Sequence, residues 1–297
     1  MSHSNISIFV PHKGCPNDCS FCNQRTISGQ TVSATPSDVE NAVKTAIEYN
    51  VNPKDTEIAF FGGSFTAIER EYMCSLLTAA KCFLDSHKFK GIRVSTRPDC
   101  IDKDVLETLK NYGVTAIELG AQSMDDNVLS ANRRGHTSED VRKASELIKE
   151  YGFELGLQMM TGMYGSSAED EIFTAEEISK YASSARIYPT ITFENTALAE
   201  LWKSGKYSPP STEETVERGA AVYKIFAQNG VDVIRIGLQS TEGLHSSQVL
   251  AGEYHDAIGE MILSRVRLDE LREMAKAVTP ENGIYTFEVP AKLLSQY

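Results

Sequence analysis

The sequence lacks the features of a membrane-spanning or secreted protein. No apolar run approaches the ~18 residues that suggest a membrane span. Residues 1–5 have neither the basic start nor the apolar core of a secretion signal. Both absences indicate a reducing, cytoplasmic compartment, where cysteines serve as ligands or free thiols rather than as disulfides. We therefore expect a cytoplasmic protein with no membrane partner.

Positive charge is also scarce. The chain has 29 Lys and Arg residues against 41 Asp and Glu residues, which gives a formal net charge of −12. Nucleic acids are held by clustered Lys and Arg contacts to phosphates, so a broad nucleic-acid surface over the whole molecule is not expected. A local positive pocket stays open as an alternative, built from Arg93, Arg97 and the neighbours Arg133 and Arg134.

Three of the six cysteines fall in one short segment. Cys15, Cys19 and Cys22 are spaced C-x3-C-x2-C, and no fourth cysteine lies nearby. Thiolates suit iron–sulfur clusters and zinc, but both usually take four protein ligands. A cluster held by three thiolates leaves one iron without a protein ligand, which is what a reacting molecule needs. The alternative is a non-catalytic zinc-binding or interaction protein.

Strand and helix patterns alternate along the chain. The helix after Thr137, for example, places Val141, Ala144 and Ile148 on one face. Repeated strand–helix units with short loops predict an α/β fold with a parallel sheet, wound open or closed as a barrel. The last predicted helix covers residues 269–278. The predicted strands cover residues 6–10, 57–61, 92–97, 116–120, 153–159, 186–193, 231–238 and 285–289.

Candidate functional residues follow the ends of these strands. The cysteine segment comes after the first strand, Gly62 and Gly63 after the second, and Cys100 after the third. Gln122 and Gly162 follow the fourth and fifth strands. Because parallel strands end at a common edge, where barrels hold their active sites, we expect one shared site there.

The cysteine segment, with Phe21 before its third cysteine, resembles the signature of radical S-adenosylmethionine enzymes. Residues 95–99, 118–123 and 132–137 look like the radical domain of the Elongator catalytic subunit and its bacterial relatives. The C-terminal stretches are similar to oxygen-independent coproporphyrinogen oxidase-like proteins. Those stretches are Arg235-Ile236-Gly237-Leu238-Gln239 and Val249-Leu250-Ala251-Gly252.

The resemblance implies a fold and two cofactors. The expected fold is a partial (β/α)6 TIM-like barrel over residues 1–240, with a short C-terminal extension over 241–297 that packs on it. Cys15, Cys19 and Cys22 would hold a 4Fe–4S cluster, whose open iron is chelated by S-adenosylmethionine. One electron, from a donor such as flavodoxin or ferredoxin, would then generate a 5′-deoxyadenosyl radical that takes hydrogen from a substrate. The enzyme would be oxygen-sensitive.

The resemblance also implies which residues contact S-adenosylmethionine. Phe21 would present its backbone to the adenine, and Gly62 and Gly63 would approach the methionine amino group. The family often has Glu after this pair, whereas Ser64 follows it here. Arg134 would pair with the methionine carboxylate, because a guanidinium binds a carboxylate bidentately. The alternative is that Arg133 and Arg134 form only a solvated helix end.

Three further residues would lie near the ribose by the same resemblance. They are Glu118, Gln122 and Gln158, the last at a position that is often acidic in relatives. The alternative for Glu118 is a strand-end carboxylate paired with Arg97. No catalytic residue is assigned.

The remaining cysteines have weaker signals. Cys74 and Cys82 lie eight positions apart on one predicted helix, so we expect them to share a buried face. Cys100 lies past the third strand and has two interpretations, packing or hydrogen-atom donation to a substrate radical. His136 is expected to order the loop around Arg134.

The expected substrate is a tRNA or nucleotide, modified without the acetyltransferase domain that Elongator's subunit also has. The alternative is a small molecule, as in coproporphyrinogen oxidase-like enzymes. The substrate of this chemistry is not specified by the cysteine segment.

Anaerobic reconstitution separates the enzyme interpretation from the zinc-binding interpretation. We expect about four iron and four sulfide ions per chain, and 5′-deoxyadenosine on reduction with S-adenosylmethionine. Metal analysis and chromatography of the products measure both. Bound zinc without a cleavage product would contradict the enzyme interpretation.

Overall fold

Strands and helices alternate along most of the chain, as the sequence predicts. The computed structural model describes residues 4–10, 15, 18–23, 32–238, 240, 242–245, 248–252, 254–279 and 285–290. The strands in that part are β1 (Ser4–Val10), β2 (Thr56–Gly62), β3 (Gly91–Thr96), β4 (Val114–Gln122), β5 (Glu154–Thr161), β6 (Ser184–Pro189), β7 (Thr192–Phe193), β8 (Asp232–Ile236) and β9 (Val249–Ala251). The helices are α1 (Pro36–Glu48), α2 (Arg70–His87), α3 (Lys103–Asn111), α4 (Asp126–Ala131), α5 (Ser138–Glu150), α6 (Ala168–Ser179), α7 (Ala197–Lys203), α8 (Thr212–Gln228) and α9 (Ile258–Lys276).

The main sheet is a curled, partial barrel. Its strands are parallel and follow the order β1-β2-β3-β4-β5-β6-β8. This arrangement confirms the predicted α/β partial TIM-like barrel, with β8 as a seventh strand. The strands β7 and β9 pair antiparallel in a separate two-stranded sheet. Within the described residues, no helix has the length and apolar character needed to cross a membrane.

The two faces of β1 show how the sheet separates core from cavity. Ile6 and Ile8 are buried in the hydrophobic core on the helix side. The alternate residues Asn5, Ser7 and Phe9 line a cavity on the inner side. Successive side chains of a strand point to opposite faces, so this alternation places aliphatic groups on the helix side and the two polar residues, with Phe9, on the cavity side.

A fully buried arginine ties four strands together inside the barrel. Arg93 of β3 donates from Nε to Glu57 Oε2 at 2.7 Å and from Nη2 to Glu154 Oε1 at 2.8 Å. Its Nη1 donates to Glu118 Oε1 at 3.3 Å. The three carboxylates belong to β2, β5 and β4. A buried charge is tolerated when it is paired and hydrogen-bonded, and Arg93 meets that condition on all sides.

Two predicted elements near the C-terminal end of the sheet are wrong in extent. The strand predicted over 186–193 stops at Pro189 in β6, and residues 192–193 join the other sheet as β7. The helix predicted over 269–278 begins much earlier, at Ile258. Ile258, Ile262 and Val266 form a buried stripe at helical spacing, which packs on α8 around Ala220.

Two further predictions are wrong. The strand predicted over 285–289 is not formed in the described residues 285–290, which have no strand to pair with. Cys74 and Cys82 do not share a buried face, because Cys74 is half-buried and Cys82 is exposed. The buried stripe of α2 runs through Met73 and Leu77, and Cys82 lies on the opposite side of the helix.

His136 is buried where the loop between α4 and α5 packs on β4. Its Nε2 lies 3.2 Å from the carbonyl oxygen of Ala121. Burial, followed by the charges of Arg134 and Arg97, lowers its pKa from 6.5 to about 4. The imidazole is therefore neutral in the folded protein near neutral pH.

Replacing Arg93 with Met removes the cation shared by three carboxylates. We expect Arg93→Met to lower the free energy of unfolding by about 3–5 kcal/mol, because buried Glu57 and Glu118 lose this partner. Urea unfolding measures the change. The control Arg70→Met breaks an exposed ion pair with Asp104 and should cost under about 1 kcal/mol. A loss no larger in Arg93→Met than in the control would contradict the prediction.

His136 makes stability depend on pH. The unfolded chain binds this proton near pH 6.5 and the folded chain only near pH 4, so stability falls as the pH drops through that interval. From about pH 7 to about pH 5, His136 should account for a loss of about 2 kcal/mol. His136→Gln should lose that much less over the same interval in urea unfolding than the unsubstituted protein does. Equal losses in the two proteins would refute this assignment.

Candidate functional site

The inner face of the barrel opens into a cavity of about 610 Å³. It joins residues from the cysteine segment and from the ends of β2, β4 and β5, so the predicted residues meet at one place. Cys100 and Gly162 are not among its lining residues. The lining includes each of the predicted metal and cofactor residues: Cys15, Cys19, Phe21, Cys22, Gly62, Gly63, Glu118, Gln122, Arg134 and Gln158.

The three cysteines have different environments in this cavity. Cys15 is exposed, Cys19 is buried and Cys22 is half-buried. Burial, with further contributions from Cys19 and Cys15, raises the pKa of the Cys22 thiol to about 12. A thiol with so high a pKa needs a positive partner to ionise at neutral pH, and a bound metal ion would supply it, because a metal ion deprotonates its thiol ligands.

The donor set of the cysteine segment suits a cluster. All three cysteines line one cavity. Thiolates on a 4Fe–4S cluster bind separate irons, whereas structural zinc usually takes four ligands around one point.

Ser20 fastens the cysteine segment to two short helices that the sequence analysis missed. Its Oγ donates to Asn132 Oδ1 at 2.7 Å, and its N–H donates to the Asn132 carbonyl at 3.0 Å. The N–H of Leu198, in α7, donates to the Ser20 carbonyl at 2.8 Å. Asn132 follows α4 and is itself held by Tyr164, to whose carbonyl its Nδ2 donates at 2.8 Å. Cys19 therefore has a defined position beside Arg134.

Arg134 is a buried cation in direct contact with Cys19. Its Nη1 lies 3.2 Å from Cys19 Sγ, and its Nη2 donates to the Gly120 carbonyl at 2.6 Å. Arg97 donates to the Arg134 carbonyl and forms two bonds of 2.9 Å with Asp99. Arg133 is exposed, so the solvated-end interpretation applies to Arg133 and not to Arg134.

Gly62 needs the absence of a side chain. Its φ is 117°, and an added Cβ would lie 2.8 Å from the Val10 carbonyl oxygen. The N–H of Gly63 donates to that same oxygen at 3.0 Å. The turn after β2 thus brings bare backbone to the cavity beside the cysteine segment, as the sequence predicts.

Glu118 and Arg186 form a bidentate pair across the cavity floor. Arg186 donates from Nε to Oε2 and from Nη2 to Oε1 of Glu118, both at 2.8 Å. The Arg186 guanidinium also lies 5.1 Å from the ring centroid of Phe61. The alternative pairing of Glu118 with Arg97 is therefore wrong, because the carboxylate partner of Arg97 is Asp99. Arg186 was not predicted as a functional residue, although an arginine between the apolar residues of a strand indicates a buried ion pair.

The two predicted glutamines lie together. Gln158 Nε2 donates to Gln122 Oε1 at 3.2 Å. Gln122 has a φ of 66°, which turns the chain at the end of β4. Cys100, by contrast, interacts with Ser64 away from the cavity, and its carbonyl accepts a bond of 2.6 Å from Thr66. This position favours the packing interpretation of Cys100.

The chain is similar to known proteins in both sequence and fold. The chain is 35% identical over 185 residues to the tRNA uridine(34) acetyltransferase of Methanocaldococcus infernus, which covers 54% of this chain and 34% of that protein. The chain thus spans about a third of this relative's length. The solved structure of the archaeal M. infernus Elp3 has the same fold, with a TM-score of 0.73 and 22% identity over 95% of this chain and 69% of that chain.

A second solved structure with a similar fold is a coproporphyrinogen oxidase, the other kind of protein that the sequence resembles. Coproporphyrinogen III oxidase (HemN) from Escherichia coli has a TM-score of 0.53 and 16% identity over 76% of this chain and 52% of that chain. The model of the Radical SAM superfamily matches residues 9–178, and the model of the Radical_SAM C-terminal domain matches residues 182–267. The first match spans more than half of the sequence. The chain belongs to the radical SAM superfamily, whose enzymes use a 4Fe–4S cluster and S-adenosylmethionine.

Proposed function

We propose that this radical SAM enzyme modifies tRNA or a nucleotide derived from it. The observation that supports an enzyme site is the convergence of the three cysteines and the predicted cofactor contacts in one cavity. The substrate class rests on the similarity to a protein named as a tRNA uridine(34) acetyltransferase. That similarity covers 54% of this chain and 34% of the relative.

The cluster is proposed to bind Cys15, Cys19 and Cys22. When bound, the cluster and S-adenosylmethionine supply a 5′-deoxyadenosyl radical that removes hydrogen from the substrate. The protein's part is binding, orientation and exclusion of water. Ser20 holds the cysteine segment, and Arg134 brings a positive charge to within 3.2 Å of Cys19 Sγ.

Residues around the cavity are proposed to orient S-adenosylmethionine. Arg134 pairs with its carboxylate, since one guanidinium offers several donors in a fork. The backbone of Phe21 faces the adenine, and Gly62 and Gly63 face the amino group. The linked pair Gln122 and Gln158 offers amide groups to the ribose hydroxyls.

Glu118 remains a proposed ribose neighbour, with a second task. Both of its carboxylate oxygens accept bonds from Arg186, so its position is fixed before any ligand binds. A carboxylate oxygen has more than one acceptor direction, which leaves capacity for a hydroxyl.

The organisation and partners follow from the same proposal. We propose residues 1–240 as the catalytic barrel and residues 241–297 as a short extension of it, of which α9 packs on α8. The one-electron donor is a protein such as flavodoxin or ferredoxin, and the enzyme works in the reducing cytoplasm. Its site is oxygen-sensitive because a cluster with an open iron is exposed to oxidants.

The substrate test follows hydrogen transfer. Reconstituted protein is incubated anaerobically with reductant and S-adenosylmethionine, and with either tRNA or small metabolites from cells grown in deuterated medium. We expect mass spectrometry to find deuterium in 5′-deoxyadenosine in the tRNA arm. Deuterium from the metabolite arm alone would overturn the tRNA proposal. The control Cys19→Ala should lose the cluster and form no 5′-deoxyadenosine; persistent cleavage would overturn the ligand assignment.

A further inference from the structure

Two arginines lie side by side on one wall of the cavity. Arg186 of β6 and Arg235 of β8 are register partners on neighbouring parallel strands, and both line the cavity. The strands β8 and β1 are the two edges of the main sheet. This wall, which we call the β6–β8 wall, is therefore at the opposite end of the strand order from the cysteine segment.

Only one of these two charges is neutralised by the protein. Glu118 holds Arg186 with two bonds of 2.8 Å. Arg235 is half-buried, and its Nε donates to the carbonyl of Gly237 at 3.2 Å, an acceptor without net charge. In the part of the chain that the structure describes, Arg235 forms no ion pair with a carboxylate. Arg235 therefore keeps a positive charge at the cavity wall that no carboxylate of the described residues offsets, and this charge attracts an anion.

Tyr188 adds a neutral donor to the same wall. It lines the cavity on β6, two residues beyond Arg186, and interacts with that guanidinium. Burial raises the pKa of its phenol, so the hydroxyl keeps its proton at neutral pH. A guanidinium fork and a phenol hydroxyl together are donors suited to the oxygens of a phosphate or carboxylate.

The other two arginines that line the cavity, Arg97 and Arg134, have partners of their own. Arg97 is held by Asp99 with two bonds of 2.9 Å, and Arg134 contacts Cys19 and Gly120. The residues proposed to contact S-adenosylmethionine come from the cysteine segment, the ends of β2, β4 and β5, and the loop after α4. The β6–β8 wall thus remains for the substrate.

We propose that Arg235 and Tyr188, beside the paired Arg186, bind an oxyanion of the substrate. The group is a phosphate or a carboxylate, and its binding fixes the substrate against the β6–β8 wall. This inference rests on the proposed function in taking the cavity as the substrate site. For a tRNA substrate, the oxyanion is a backbone phosphate next to the modified nucleotide.

Titration calorimetry of the reconstituted full-length chain tests the site with two probes, pyrophosphate and malonate. We expect Arg235→Gln to weaken binding of the preferred probe about 10- to 100-fold, because a charge-assisted pair of donors is lost. Arg235→Lys keeps the charge but not the fork, so its affinity should fall between the two. The control Arg272→Gln lies on α9 outside the cavity and should bind as the unsubstituted protein does. Iron content and circular dichroism verify that each variant is loaded and folded.

The outcomes separate this inference from the proposed function. Equal affinity of Arg235→Gln and the unsubstituted protein, or no binding of either probe, overturns the oxyanion site. Preference for pyrophosphate identifies a phosphate, and preference for malonate identifies a carboxylate; both support the site. A loss of probe binding in Arg235→Gln, together with no deuterium transfer from tRNA, keeps the site and overturns tRNA as the substrate.

Discussion

The structure depends on one carboxylate inside the barrel. Glu118 of β4 accepts two bonds from Arg186 of β6 and one from Arg93 of β3, which in turn binds Glu57 and Glu154. The inner face of this sheet lines a cavity, so its side chains do not form one continuous apolar core. The ion pairs link five neighbouring strands, β2 to β6, across that face. The curved sheet around the cavity is thus held in part by charge.

The arginines on the two sides of the cavity differ in their partners. Near the cysteines, Arg134 and Arg97 both approach the sulfur of Cys19. The Gly120 carbonyl holds Arg134, and the Asp99 carboxylate holds Arg97. On the far wall, Glu118 neutralises Arg186, whereas Arg235 has no carboxylate partner among the described residues. A net negative protein therefore contains a cavity lined by four arginines. Of the positive pocket suggested by the sequence, Arg97 and Arg134 line this cavity, and Arg93 and Arg133 do not. The steering of an anionic molecule by such a cavity weakens with salt.

The repeating strand–helix pattern was sufficient to predict the fold class, and the positions after the strand ends were sufficient to predict that the candidate residues meet in one cavity. They succeed because hydrophobic periodicity and thiol chemistry are local properties of the sequence. The pairing of Glu118 with Arg186 joins residues far apart in the chain, so sequence spacing gave no hint of it and Arg97 seemed an equal partner. The strand predicted over 285–289 fails for a related reason, because a strand needs a neighbour and local pattern does not supply one. Helices α4 and α7 are too short for periodicity to reveal them.

The hydrogen bonds of Ser20 have an energetic consequence beyond holding the cysteines. They join the metal-binding segment to α7, which follows β7 and therefore continues the chain from the wall formed by β6. Under the proposed placement of the cluster and the substrate, binding at the cysteine segment and binding at that wall would be linked equilibria. By reciprocity, a ligand that orders the wall raises the affinity for the cluster by the same factor by which the loaded cluster raises the affinity for the ligand. Bound substrate would slow the loss of the cluster, so the protein would retain iron best in its substrate-bound state.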